Sequence, residues 1–285
     1  MISNQIIIII SKLDEAGMNM FTFFEKQLDL QEKQVDIPSS WPEGTYQEFQ
    51  AGDITILLIP ESQIYTDYFQ EGLSCNLLVF ASKHSSAAGQ KALLVHTTGI
   101  WQEEAGHGGR DHELAFVRAD LMGYAYDKIK QYQTDRGLDQ YWTGIECTHH
   151  GPTALSMPII YYEAGGTKEE WNDLDACELI ADVIIETITD YLQDNIPQRE
   201  AFIGLGGNHY CSSFIKTLDE QHFGFGHILP KYATKKLPVQ ILQQAFDKTI
   251  AEKKLFLVDK KGLRAHDRDR FIAFIEKNDW NWQFT

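Results

Sequence analysis

A chain of 285 residues with 43% hydrophobic residues, 23% charged residues and only 8 prolines has the composition of a folded globular protein, which excludes disordered, collagen-like and low-complexity chains. The longest aliphatic run, Ile6 to Ile10, falls far short of the roughly 20 residues of a membrane-spanning helix. Its 41 acidic against 25 basic residues give a net charge of −16, an unusual balance for a nucleic-acid binder.

In chain order, strands are expected at 5–10, 54–59, 76–81, 92–95, 141–147, 159–163, 201–205 and 255–258, most of them continuously apolar as in strands covered on both faces. Helices are expected at 15–28, 112–133, 169–194, 212–220, 239–251 and 268–277. The clearest is 169–194, where Trp171, Leu174, Ile180, Ile184, Ile188 and Tyr191 recur at spacings of three, four or six and mark one apolar stripe. Alternation of strand and helix, with no linker and no internal repeat, points to a single α/β domain over 1–285, with 35–50 and 60–74 as long surface excursions. No basic residue precedes the first strand and no small-residue cleavage site follows it, so a cytoplasmic protein without membrane attachment is expected. Four cysteines without a C-x-x-C pair fit reduced thiols, and Cys147 reads as a buried strand residue.

The charge is uneven. From His227 onward there are 12 basic against 7 acidic residues, a surplus of five, which leaves 13 against 34, or −21, for 1–226. The densest basic part holds Lys260, Lys261, Arg264, Arg268 and Arg270, interrupted by Asp267 and Asp269. It is either a solvated loop or a phosphate-contacting surface.

Nine of the ten histidines lie between His84 and His227, most beside glycines or strand ends, where α/β proteins build sites. One cluster is Thr148, His149, His150, Gly151, Pro152, Thr153. Adjacent side chains of a strand point to opposite faces, but Gly151 and Pro152 end the strand and a turn can bring both imidazoles to one side. A second cluster, GLGGNHY from Gly204 to Tyr210, pairs His209 with Gly206 and Gly207, whose N–H groups can approach an anion; it lacks the full dinucleotide fingerprint. Three more segments hold His84 with Ser85, His96 with Thr98 and Gly99, and His227 with Lys231 in a glycine-flanked loop. Imidazoles converging with a carboxylate suit Zn²⁺, and Asp111, Glu146 and Glu163 are the carboxylates near these loops. Neither H-E-x-x-H nor G-x-S-x-G is present.

Taken together, FASKHSS (80–86), HTTGIW (96–101), GGRD (108–111), ECTHHGPT (146–153), GLGGNHY and FGHILPKYA (225–233) resemble the archaeal and plant, zinc-dependent type of D-aminoacyl-tRNA deacylase. The resemblance implies a three-layer α/β/α sandwich with a mixed, largely parallel sheet, similar to phosphorylase and peptidyl-tRNA hydrolase folds. It also implies hydrolysis of the ester between a D-amino acid and the terminal ribose of tRNA, with Zn²⁺ as cofactor and the acceptor end of D-aminoacyl-tRNA as partner. Ile100 stands where many relatives have Asn, and Asn208 where many have Gly. On this basis His149, His150 and His209 are the catalytic candidates. His96, His149, His209, His227 and Glu146 are the metal candidates. His84, Ser85, Thr98, Gly99, Thr153, Gly206, Gly207 and Lys231 are the substrate-binding candidates. Lys231, Lys235, Lys236, Lys260, Lys261 and Arg264 are the expected phosphate contacts. The competing readings are another metal-dependent hydrolase of a small amide or peptide, and a non-enzymatic nucleotide binder in which some histidines only orient loops.

Overall fold

The structure is a computed structural model that describes residues 2–103 and 105–285. Its main sheet has eight strands: β1 (Ile6–Ser11), β2 (Gln31–Lys33), β3 (Gln47–Ala51), β4 (Ile54–Ile59), β5 (Leu77–Ser85), β6 (Ala92–His96), β7 (Trp142–Ile145) and β8 (Ile159–Gly166). Their order is β7-β6-β8-β5-β1-β4-β3-β2. Strands β8, β5, β1 and β4 run parallel, β6 and β7 run together in the opposite direction, and β3 and β2 close the far edge antiparallel. A second, wholly parallel sheet holds β9 (Ala201–Leu205), β10 (Gly224–Leu229), β11 (Lys254–Val258) and β12 (Asn281–Phe284) in the order β10-β9-β11-β12.

The five isoleucines of β1 show why this strand is central. Ile6, Ile8 and Ile10 enter one core and Ile7 and Ile9 another, so the alternation of a strand serves two apolar layers at once. The first layer is formed by helices α1 (Glu15–Gln27), α2 (Ala119–Arg136) and α3 (Leu174–Leu192). In α3 the buried Ala176, Leu179, Ile180, Val183, Ile184, Thr187 and Ile188 follow helical spacing, and Asp173 caps the first turn by accepting from the N–H groups of Asp175 and Ala176. Leu174, expected in that stripe, is 54% exposed at the helix start. Asp14 caps α1 through Gly17 N–H, and its other oxygen accepts from Lys83 N–H and the Ser82 hydroxyl, which ties α1 to the end of β5.

Four expectations change. Segments 35–50 and 60–74 are not free excursions: they supply β3 and a 3₁₀ helix over Gln63–Gln70, and bury Trp41, Tyr46 and Phe69 over the face away from the helices. The helix expected from residue 112 starts at Ala119, because Glu113–Leu114 and Val117–Arg118 are drawn into short strand pairings first. The glycine-flanked loop around His227 is the buried strand β10. Its glycines are packing sites, since a Cβ at Gly224 would lie 2.4 Å from the Ala119 carbonyl and one at Gly226 2.2 Å from the Thr249 hydroxyl. The last residues, with no apolar run to announce them, form β12.

Candidate active site

The site lies on the face of the main sheet opposite the long helices. Register aligns Phe80, Tyr161 and His96 across β5, β8 and β6, and Ser82, Glu163 and Leu94 in the next row. Tyr161 stacks between Phe80 at 4.3 Å and His96 at 5.1 Å, which fixes the imidazole against an aromatic wall. Two residues along β8, Glu163 reaches both flanking strands, with Oε1 3.3 Å from His96 Nε2 and Oε2 3.3 Å from His84 Nδ1. Glu146 follows β7 and faces the same space, 3.0 Å from His209 Nε2, 3.5 Å from His84 Nδ1 and 3.7 Å from His149 Nε2.

The segment 147–151 is pinned from several directions. Cys147 N–H donates to His209 O, Thr148 N–H to Ile228 O, Gly99 N–H to His150 O and Gly151 N–H to His107 O. His150 adopts φ 41°, a left-handed turn that swings its ring to the side of His149. The two ring centroids lie 4.4 Å apart, and 5.0 and 4.5 Å from His96 respectively. The neighbouring loops meet because side chains are missing there: a Cβ at Gly108 would lie 1.9 Å from the Ile64 carbonyl, and one at Gly151 2.5 Å from it.

Three imidazoles share one orientation. His96 Nδ1 donates to Thr97 O at 3.1 Å, His149 Nδ1 to Cys147 O at 2.7 Å and His150 Nδ1 to Gly151 O at 2.7 Å. A carbonyl on Nδ1 holds the proton there; in His149 and His150 this leaves Nε2 as a lone-pair donor, the arrangement that metal-ligating histidines adopt, whereas His96 Nε2 also meets Glu163 Oε1 at 3.3 Å. The ring nitrogens of these three lie within 4.8 Å of one another, as do the ligand atoms of Cys147, His149 and His209 and those of His84, Glu146 and Glu163. Glu146 Oε1 is buried with no aligned donor. A buried carboxylate oxygen without an aligned donor, set among imidazoles, fits a divalent cation, and nitrogen-rich donors suit zinc.

The electrostatics split the histidines in two. Burial, then the neighbouring imidazoles, lowers His149 well below the usual range and brings His150 down to about 3, so both stay neutral. At His84 and His96 burial also opposes the charge, but Glu163 and Glu146 outweigh it and the values rise. His209 is pushed up to about 11, with burial overcome by Cys147 and Glu146. Burial alone would raise Glu163; hydrogen bonds from His84 and His96 hold it well below the carboxylate range.

A family model for D-aminoacyl-tRNA deacylase matches residues 71–283, a span that contains every side chain of this cluster. The chain belongs to the D-aminoacyl-tRNA deacylase family. It is 32% identical over 239 residues to the D-aminoacyl-tRNA deacylase of Methanocaldococcus jannaschii, covering 82% of this chain and 89% of that one. To the D-aminoacyl-tRNA deacylase of Pyrococcus furiosus it is 32% identical over 279 residues, covering 92% and 93%. A crystal structure of a conserved protein of unknown function superposes with a TM-score of 0.85 at 26% identity, covering 99% of this chain and 95% of that one.

In this deacylase the cluster opens into a cavity of about 950 Å³. His84, Ser85, Gly99, Glu146, His149, His150 and His209 line it, and Glu163 and Tyr232 join them. His96 lies directly behind, fully buried. Thr98 and Thr153 are outside the lining and hold loops, the first donating to Pro152 O and the second accepting from Arg110 N–H. Gly206 and Gly207 are outside it too, with Gly206 N–H donating to Leu229 O and Gly207 O accepting from Lys231 N–H. Asp111 is exposed, away from the lining. His227 sits in β10, where Nε2 donates to Ala115 O at 2.9 Å and Nδ1 meets the Thr148 hydroxyl at 3.2 Å. Sequence reasoning gave little weight to Glu163, in the middle of an apolar strand, and none to Tyr210 and Tyr232. Tyr210 hydrogen-bonds His84 Nε2 at 3.3 Å, and Tyr232 meets Cys147 Sγ at 3.4 Å.

Proposed function

We propose that this deacylase, which hydrolyses the ester of D-aminoacyl-tRNA, does so with zinc held by His96, His149 and His150 and with proton transfer by His209. The observation that carries the reading is the gathering of those three imidazoles, each with Nδ1 on a backbone carbonyl and with a ring nitrogen of each within 4.8 Å of the others. Glu146, Glu163, His84 and Cys147 are the further donors around it. Such an ion, when bound, polarises the ester carbonyl and makes water acidic enough to attack at neutral pH.

The protein's own residues supply the rest. Glu146 faces His209 Nε2 at 3.0 Å and orients the imidazole. His209, partly exposed at the cavity wall and held protonated by Glu146, is the proton donor to the ribose oxygen as the ester bond breaks. Tyr161 and the Thr97 carbonyl keep His96 from turning.

The RNA approaches over the basic C-terminal part. Lys231, Lys235, Lys236, Lys260, Lys261 and Arg264 are all exposed. They form one rim, since Lys231 N–H donates to Gly207 O and a Cβ at Gly262 would lie 2.6 Å from Gly207 N. Arg268 and Arg270 differ, being paired with Asp269 and Asp267. The rim adjoins Tyr232 and Ala233 of the cavity lining. Site residues come from the main sheet and from the loops after β9 and β10, which supports one functional unit over 1–285. No described helix is long and apolar enough to cross a membrane, and a tRNA substrate makes the cytoplasm the working compartment.

Hydrolysis of D-tyrosyl-tRNA and L-tyrosyl-tRNA by the wild type and His149→Ala, with zinc measured in both, tests the reading. D-selective turnover lost together with the metal is expected; a His149→Ala protein with full activity overturns the assignment.

A further inference from the structure

A second, smaller groove of about 350 Å³ lies beside the site, lined by Gln90, Trp142, Tyr210, Ser212 and Ile215. Among the described residues no charged side chain lines it, so it suits neither a phosphate nor an ammonium group. Its floor is aromatic: Trp142 meets Tyr210 edge to face, ring centroids 5.2 Å apart. The indole is seated by a missing side chain, since a Cβ at Gly144 would lie 2.0 to 2.4 Å from three atoms of the Trp142 ring. Packed on Gly144, the half-buried indole lines the groove.

The groove adjoins the cluster through Tyr210. Trp142, Gly144 and Glu146 alternate onto one face of the sheet. Tyr210 bridges the two spaces, its hydroxyl 3.3 Å from His84 Nε2 and 3.3 Å from Ser86 Oγ, with its ring 5.3 Å from that of His209. Two ring-to-ring steps therefore lead from His209 to Trp142.

We propose that this groove seats the adenine of the 3′-terminal nucleotide, whose ribose carries the ester, stacked on Trp142. The inference rests on the deacylase reading, because an ester on that ribose places the base one sugar away from the cleaved bond. An unpaired neutral base stacks on aromatic side chains and finds hydrogen-bond partners at its edge, here Gln90 and Ser212. The preceding nucleotide then leaves toward the basic rim.

Two minimal substrates isolate the base: the D-tyrosyl ester of adenosine and the same ester on an abasic ribose. Wild-type enzyme should prefer the first. Trp142→Ala should lower its kcat/KM by about 5- to 100-fold, mainly through KM, and leave the abasic ester unchanged. Gly144→Ala, which displaces the indole without removing it, should act the same way, and Trp142→Phe should retain most activity. Adenosine 5′-monophosphate should inhibit the wild type competitively and both alanine variants far more weakly. Equal losses on both esters, or losses that follow D-tyrosine against D-alanine rather than the base, overturn the proposal. A wild type inert on both esters and on D-tyrosyl-tRNA would strike at the reaction itself; one that cleaves both esters equally well removes only the adenine site.

Discussion

His149 and His227 lie on either side of Thr148, one beside it in the chain and the other on its hydroxyl, and their surroundings are opposite. His227 has both ring nitrogens engaged by neutral groups of the protein, Ala115 O and Thr148 Oγ1, inside a buried strand. His149 has one nitrogen on a carbonyl and the other turned toward Glu146 and three more imidazoles at the cavity wall. Burial keeps both neutral. What separates His227 from His149 is therefore not burial or a glycine-flanked motif, but whether the second nitrogen already has a neutral partner.

The comparison breaks first on activity. Removing metal with a chelator should abolish hydrolysis of D-aminoacyl-tRNA, and added Zn²⁺ should restore it; full activity in metal-free protein would contradict the site. His150→Ala should reduce kcat/KM by about 10²- to 10⁴-fold while circular dichroism and melting stay near those of the wild type, because the ring faces a cavity. His227→Gln should do the reverse. Stability should fall by about 1 to 3 kcal/mol, as the Ala115 carbonyl and Thr148 lose a buried partner, with kcat/KM at low temperature within a few-fold of normal.

Acid sharpens the contrast further. His227 is lowered to about 3 by burial, whereas an unfolded chain binds its proton below about 6.5. Its neutral burial thus stabilises the fold fully above pH 6.5 and is lost progressively as the pH falls toward 3. His209, raised to about 11, has the opposite sign: its contribution is complete below 6.5 and fades as the pH rises. Urea melts of metal-free protein at pH 7 and 5 should show a smaller acid loss in His227→Gln, by up to about 1.4 kcal/mol per pH unit. The smallest effect belongs to the rim. Lys260→Ala with Lys261→Ala should weaken tRNA binding and reduce its logarithmic salt slope by roughly 0.7 to 0.9 per contact, leaving D-tyrosyl-adenosine hydrolysis unchanged. An unaltered slope would make that segment a solvated loop.

Six of the eight strands of the main sheet were readable because strands buried on both faces are runs rich in Ile, Leu and Val, as in β1, β4 and β5. Strands β2, β3 and β12 were not, since their half-exposed residues carry no run and their pairing is set by neighbours distant in the chain. The histidine clusters showed where the chemistry gathers. Their tautomers, the double role of Glu163 and the separate place of His227 depend on register between strands, which local pattern does not encode. Tyr210 and Trp142 are 68 positions apart in the chain, and only the fold makes them neighbours.

The placement of β8 between β5 and β6 bears on how the chain is made. β5 and β6 follow one another directly, yet their shared partner is Ile159–Gly166, more than 60 residues later. During synthesis two apolar strands therefore stand with unpaired edges until the insert arrives, and such edges invite pairing with other chains. Residues 1–226 carry a charge of −21, and mutual repulsion between nascent copies opposes that association. The acidity that sits awkwardly with an RNA substrate is then a property suited to the interval before the sheet closes.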